Sequence, residues 1–162
     1  MLPSMTQDDV ERHIDRAFAD EAMPRTHREL CEPGIEAPYV IEHFFERTRD
    51  EVYAERFLPS LHMEDFTYMT RAGVAYYLPP VLRLALREPF DSELWIYLSG
   101  FLGSARQTWA DNLRDLTSSQ LASIAECLAF LAAERDGAFG FEAKKARKLA
   151  TLYRELAGAT AR

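Results

Sequence analysis

The chain has 162 residues, 48% of them hydrophobic and 28% charged, with a formal net charge of −7. That is enough chain for one domain with a core that needs no disulfide or metal, and too apolar for extensive disorder. The richest apolar segment, residues 121–133, is interrupted by Ser123 and Glu126, so no membrane span is expected.

Thr6-Gln7-Asp8-Asp9 reads as a helix start with Thr6 as N-cap and acidic residues in the first turn. Val10, Ile14, Ala17 and Phe18 follow at helical spacing, predicting an amphipathic helix to Glu21 or Ala22. A short helix is expected from Pro24 to Leu30, stopped by Glu32-Pro33-Gly34, with loop to Pro38. Tyr39, Val40, Ile41, Phe44 and Phe45 predict the next helix, with Pro38 in its first turn. Thr48-Arg49-Asp50-Glu51 opens another through Val52, Tyr53 and Phe57, ending at Pro59. Leu61, Met63, Phe66 and Met69 mark a short helical segment.

Thr70 is a natural N-cap for the stretch Arg71-Ala72-Gly73-Val74-Ala75-Tyr76-Tyr77-Leu78-Pro79-Pro80, and an apolar stripe continues through Val81, Leu82 and Ala85. Pro79 and Pro80 lack the N–H groups that the carbonyls of Ala75 and Tyr76 would bond. Residues before proline avoid the α region, so the spacing predicts two helical pieces joined at a stiff elbow. Beyond Pro89, Asp91 or Ser92 caps a helix carrying Leu94, Trp95, Leu98, Phe101 and Leu102, and Gly103 ends it. Trp109, Leu113 and Leu116 share one side of a weaker helix. Thr117-Ser118-Ser119-Gln120 is a capping box opening a helix through Ala133. Asp136-Gly137 breaks the chain before a last helix from Phe141 to Leu156, with Lys144-Lys145-Ala146-Arg147-Lys148 on its solvated face.

No strand alternation, hairpin signal or internal repeat is present. The expected fold is all-α: a single compact domain spanning 1–162, of about seven to nine helices, with a proline-broken central helix and flexible ends at 1–5 and 158–162. The N-terminus has no secretory pattern, and Cys31 and Cys127 read as free thiols. The expected location is the cytoplasm.

Charge is divided unevenly, with 16 acidic and 7 basic residues in 1–70 against 10 acidic and 12 basic in 71–162. An acidic face repels phosphate backbones and attracts basic partners, so nucleic acid is an improbable ligand and a basic protein a better one.

Catalytic patterns are scarce. His62-Met63-Glu64 matches half of a zinc-deaminase signature with no P-C-x-x-C to complete it. His27 and Cys31 share a face if Pro24 to Cys31 is helical, but two ligands do not make a site, and His13, His43 and His62 have no paired spacing that completes one. No metal and no other cofactor is expected. Cys127 falls in an apolar stripe and reads as a buried thiol. Phosphate loops, dinucleotide fingerprints and nucleophile elbows are absent. Glu42 and Glu46 stand at i, i+4 with His43 beside them, a candidate acid–base group better read as a charged face. Tyr76 and Tyr77 point about 100° apart on a helix and cannot face the same core layer; hydrogen-bonded tyrosines of a proline-kinked core helix are the commoner arrangement, with one tyrosine meeting a groove or partner the alternative.

Thr70 with Tyr76-Tyr77-Leu78-Pro79, followed by Leu113, Leu116, Thr117, Gln120, Ile124 and Leu131, resembles a family of small bacterial proteins carried as a domain of unknown function. The resemblance runs from about Glu36 to Ala133, and many members have a cysteine near the position of Cys31. Pro80 departs from the small residue usual there. The resemblance brings no activity, substrate or catalytic residue.

The residues therefore favour a non-enzymatic protein-binding module, an adaptor or immunity-type inhibitor using an acidic N-terminal face. The interaction candidates are Tyr76, Tyr77, His43, Glu42 and Glu46. An enzyme with its site at the Tyr76–Pro80 elbow and a homo-oligomeric structural protein are the alternatives.

Overall fold

The computed structural model describes residues 4–55, 62–87, 92–134 and 141–162. The fold is all-α; among the described residues the one β feature is an isolated bridge between Cys31 and Met69. The expected stop at Pro59, the cap at Asp91 and the break at Asp136-Gly137 lie outside the described residues. Contacts divide the chain into a unit of residues 20–116 and a unit made from its two ends, 1–19 and 117–162.

The end-built unit contains α1 (Gln7–Ala17), α8 (Ser118–Glu134) and α9 (Phe141–Thr160). Threonines start two of these helices. Thr6 forms a reciprocal box with Asp9, and Thr117 accepts from the Gln120 amide while Gln120 Oε1 accepts from the Thr117 amide. α1 ends at Ala17, a turn earlier than expected; the Phe18 amide donates to the Ile14 carbonyl and the Ala19 amide to the Arg16 carbonyl. α9 continues past Leu156 to Thr160. Ser118 Oγ donates to the Ala157 carbonyl at 2.8 Å, so the start of α8 lies at the end of α9. Ala143, Ala146, Leu149, Ala150 and Tyr153 of α9 are buried, whereas Lys144, Arg147 and Lys148 are exposed. Cys127 is buried here, and desolvation pushes its thiol up to about 12. It is a packing residue.

The 20–116 unit contains α2 (His27–Leu30), α3 (Ala37–Phe44), α4 (Arg49–Ala54), a 3₁₀ helix (Met63–Tyr68), α5 (Arg71–Leu86), α6 (Ser92–Gly103), a 3₁₀ turn (Ser104–Arg106) and α7 (Asp111–Arg114). α5 is its axis. Twelve of its 16 residues are buried, the signature of a helix enclosed on all sides, and it packs against α2, α4, α6 and α7. Thr70 caps it, accepting from the Gly73 amide at 3.0 Å while its own amide donates to the Leu30 carbonyl at 3.0 Å. Leu113 and Leu116 are buried as the pattern implied, but Trp109 lies before α7 and is 64% exposed, so the three do not share one packed side.

α5 runs unbroken through Pro79 and Pro80. The expected division into two pieces does not occur, and the reason lies in α4. Arg49 donates from Nε to the Tyr76 carbonyl at 2.7 Å and from its terminal nitrogen to the Ala75 carbonyl at 3.1 Å. Those are the two acceptors that proline deprives of partners, so one guanidinium supplies what two missing amides cannot.

Candidate functional site

The elbow residues serve backbone groups. Tyr77 is fully buried, and its hydroxyl donates to the carbonyls of Phe44 at 2.5 Å and Arg47 at 2.8 Å. The Phe44 carbonyl, at the end of α3, also accepts from the Arg47 amide at 3.1 Å, so Tyr77 reinforces the turn that closes α3 from inside another helix. Burial first, and the neighbouring Tyr76 second, raise its pKa. Tyr76 is half-buried, with the Arg49 guanidinium 4.7 Å from its ring centre and the Arg49 amide donating to its phenolic oxygen at 3.3 Å. The two adjacent tyrosines thus lie in different environments, Tyr77 in the core and Tyr76 half-buried against Arg49.

Glu42 and Glu46 do not share a helix face. α3 stops at Phe44, Phe45 is extended, and Glu46 has a φ of 64°, a left-handed conformation that turns the chain away from the helix axis. His43 and Glu42 remain on α3.

His43 acquires partners that local spacing did not indicate. Phe44 packs edge-on against Phe66, with ring centres 5.4 Å apart, joining α3 to the 3₁₀ helix. The residues one position earlier, His43 and Asp65, meet beside that contact, with Nδ1 of His43 2.6 Å from Oδ2 of Asp65. His62 stacks on His43 at 3.4 Å between ring centres and 19° between planes. One potential ligand atom from each of His43, His62 and Asp65 lies within 4.8 Å of the others, and all three residues are half-buried. Desolvation, then the neighbouring His43, lowers the pKa of His62, which favours the neutral imidazole.

A three-residue period explains the assembly. Met63, Phe66 and Met69 form the buried face of the 3₁₀ helix and its C-cap. One position back, His62 and Asp65 fall together on a second face. Glu64 and Thr67 fall on the third, where with Met63 they meet Ile96, Tyr97 and Phe101 of α6 around a groove of about 200 Å³. His62 thus joins Asp65 rather than its deaminase-like neighbour Glu64. Spacing along the chain did not indicate this group, which the contact between α3 and the 3₁₀ helix brings together. His27 and Cys31 do not form a ligand pair: Cys31 is the extended C-cap of α2 with its thiol toward the His27 carbonyl, and the His27 ring packs edge-on against Phe45.

The division into units also relocates the charge. Residues 20–116 hold 17 acidic and 10 basic residues, which is the whole net charge of −7, and the two end segments balance. Among the described residues, the exposed large apolar side chains Ile35, Tyr39, Tyr68, Ile96, Tyr97 and Trp109 all belong to this unit, against Met5 alone in the other.

These features define a helical protein with an acidic, apolar-studded unit around a proline-containing central helix. The chain belongs to a family described as a family of unknown function, DUF6714, whose model matches residues 6–153. No curated protein and no solved structure matches it. No helix among the described residues is long and apolar enough to cross a membrane.

Proposed function

We propose that the protein is a non-enzymatic binding module, an adaptor or immunity-type inhibitor, that holds a basic partner protein on its 20–116 unit. The observation carrying this reading is the coincidence, in one unit, of the entire net negative charge and six exposed large apolar side chains. Aromatic and aliphatic anchors supply the energy of protein interfaces, and surrounding charge supplies selection and encounter rate. The groove beside Ile96 and Tyr97, with Glu64 in its wall, combines both kinds of group. Tyr76 and Tyr77 engage backbone and arginine partners, which supports a structural use of the elbow over a catalytic one.

The test is crosslinked capture from host cells by the tagged protein, in parallel with Ile96→Glu/Tyr97→Glu and Glu64→Lys variants, at low and high salt. A basic protein that is retained by the parent chain, released by salt and lost from the variants supports the reading. Identical capture by all three proteins overturns it. A doubled mass of the isolated chain, abolished by the Ile96/Tyr97 variant, would assign the surface to self-association instead.

A further inference from the structure

We propose that His43, His62 and Asp65 bind one divalent first-row transition-metal ion, with Zn²⁺ the best match. Two imidazole nitrogens and one carboxylate oxygen form a donor set suited to zinc, and hard cations such as Mg²⁺ and Ca²⁺ prefer oxygen alone. Ligand atoms around tetrahedral zinc, each about 2.1 Å from the metal, stand about 3.4 Å apart. The three donors here already lie within 4.8 Å of one another; because the two imidazoles are stacked and nearly parallel, one ring turns about its side-chain torsions on binding so that both in-plane nitrogen lone pairs meet the metal.

The platform is rigid on both sides. His43 immediately precedes Phe44, and Asp65 immediately precedes Phe66, the two rings whose edge-on packing closes the core there. Both rings are fully buried, whereas the side chains of His43 and Asp65 retain 22% and 14% exposure. The donors are therefore held by the core yet reachable from solvent. The metal would take the place of the proton between His43 Nδ1 and Asp65 Oδ2, which stand 2.6 Å apart, and the neutral ring would carry its N–H on Nε2 instead. Three protein ligands leave one tetrahedral position for water or for an exchangeable group. This inference is independent of the protein-binding reading, because it uses a different face of the 3₁₀ helix from Glu64 and Thr67.

The experiment uses the tag-free full chain, stripped with chelator and titrated with ZnCl₂ while the ring resonances of its four histidines are followed by NMR. His43 and His62 are expected to shift together and to saturate at one equivalent of zinc, with His13 and His27 unmoved. His43→Ala, His62→Ala and Asp65→Ala, each checked for retained helicity, should weaken zinc binding about tenfold or more. Absence of saturable binding, uniform shifts of all four histidines, or unchanged affinity in the three folded variants would overturn the proposal. The parent-chain titration decides the matter even if a variant fails to fold.

Discussion

Arg49 holds Tyr76 at three points: Nε on its carbonyl at 2.7 Å, the backbone amide at 3.3 Å from its phenolic oxygen, and the guanidinium 4.7 Å from its ring centre. The carbonyl contact matters most, because Pro80 has removed the amide that would have bonded there. Arg49→Ala should cost about 2–3 kcal/mol, since it strips a charged donor from two helix carbonyls. Restoring the amides with Pro79→Ala/Pro80→Ala should reduce that cost to about 1 kcal/mol, the remainder being the lost ring contact. Urea denaturation of the four proteins completes the cycle. An Arg49→Ala cost that is the same in both backgrounds would show that the guanidinium does not substitute for the amides.

The two adjacent tyrosines should respond differently to loss of a hydroxyl. Tyr77→Phe takes the phenolic donor from the Arg47 carbonyl and leaves the Phe44 carbonyl with the Arg47 amide, and is expected to cost about 1–3 kcal/mol. Tyr76→Phe retains the ring under Arg49 and loses one 3.3 Å contact, so its cost should stay below about 1 kcal/mol. Thermal melts of both variants compare them directly, and equal losses would contradict the role of Tyr77 in closing α3.

The threonine-headed helix starts at Thr6, Thr48, Thr70 and Thr117 were legible because a capping side chain and the amide it bonds are close in sequence. The fate of the proline pair was legible only in part: the sequence identifies two carbonyls losing donors, but Arg49 lies 26 residues from Ala75 and nothing local links them. The histidine cluster was hidden in part. His62 and Asp65, three residues apart, are neighbours on any helix, but His43 joins them only through the packing of Phe44 on Phe66, which no local spacing indicates. The apparent Glu42–Glu46 pair failed because continuity of a helix past Phe44 was assumed, and Tyr77 instead reinforces the turn that closes α3 from across the core.

Gly73 and Gly100 both lie in helices, yet alanine should act on them with opposite sign. A Cβ on Gly73 would press directly against the Leu30 carbonyl oxygen and stand 3.2 Å from its carbon. That carbonyl is anchored by the Thr70 amide, so the backbone has little room to yield. Gly73→Ala is expected to destabilise by about 3 kcal/mol despite alanine's better helix propensity. A Cβ on Gly100 meets no atom within 4 Å, and Gly100→Ala should stabilise by up to about 1 kcal/mol. Shifts of the urea midpoint in the same direction for both variants would contradict the close approach of Leu30 to Gly73.

The capping box of α1 predicts a defined acid response. Asp9 accepts from the Thr6 amide at 3.0 Å and the Thr6 hydroxyl at 2.8 Å and pairs with Arg12. The Thr6 amide first, then the Thr6 hydroxyl and Arg12, hold its pKa at about 2 against an ordinary 3.8. The folded state thus favours the charged carboxylate, so its contribution is fully present above about pH 4 and disappears as pH falls toward 2. Asp9→Asn should lower Tm at pH 7 and converge with the parent chain between pH 4 and pH 2. Because both proteins share every other carboxylate, the difference between their melting curves isolates Asp9. The Asp9 and Arg12 side chains keep 35% and 63% exposure, so added salt should shrink the part of that difference due to Arg12 and leave the hydrogen-bonded part. A difference constant from pH 7 to pH 2 would mean that the carboxylate's charge has no part in starting α1.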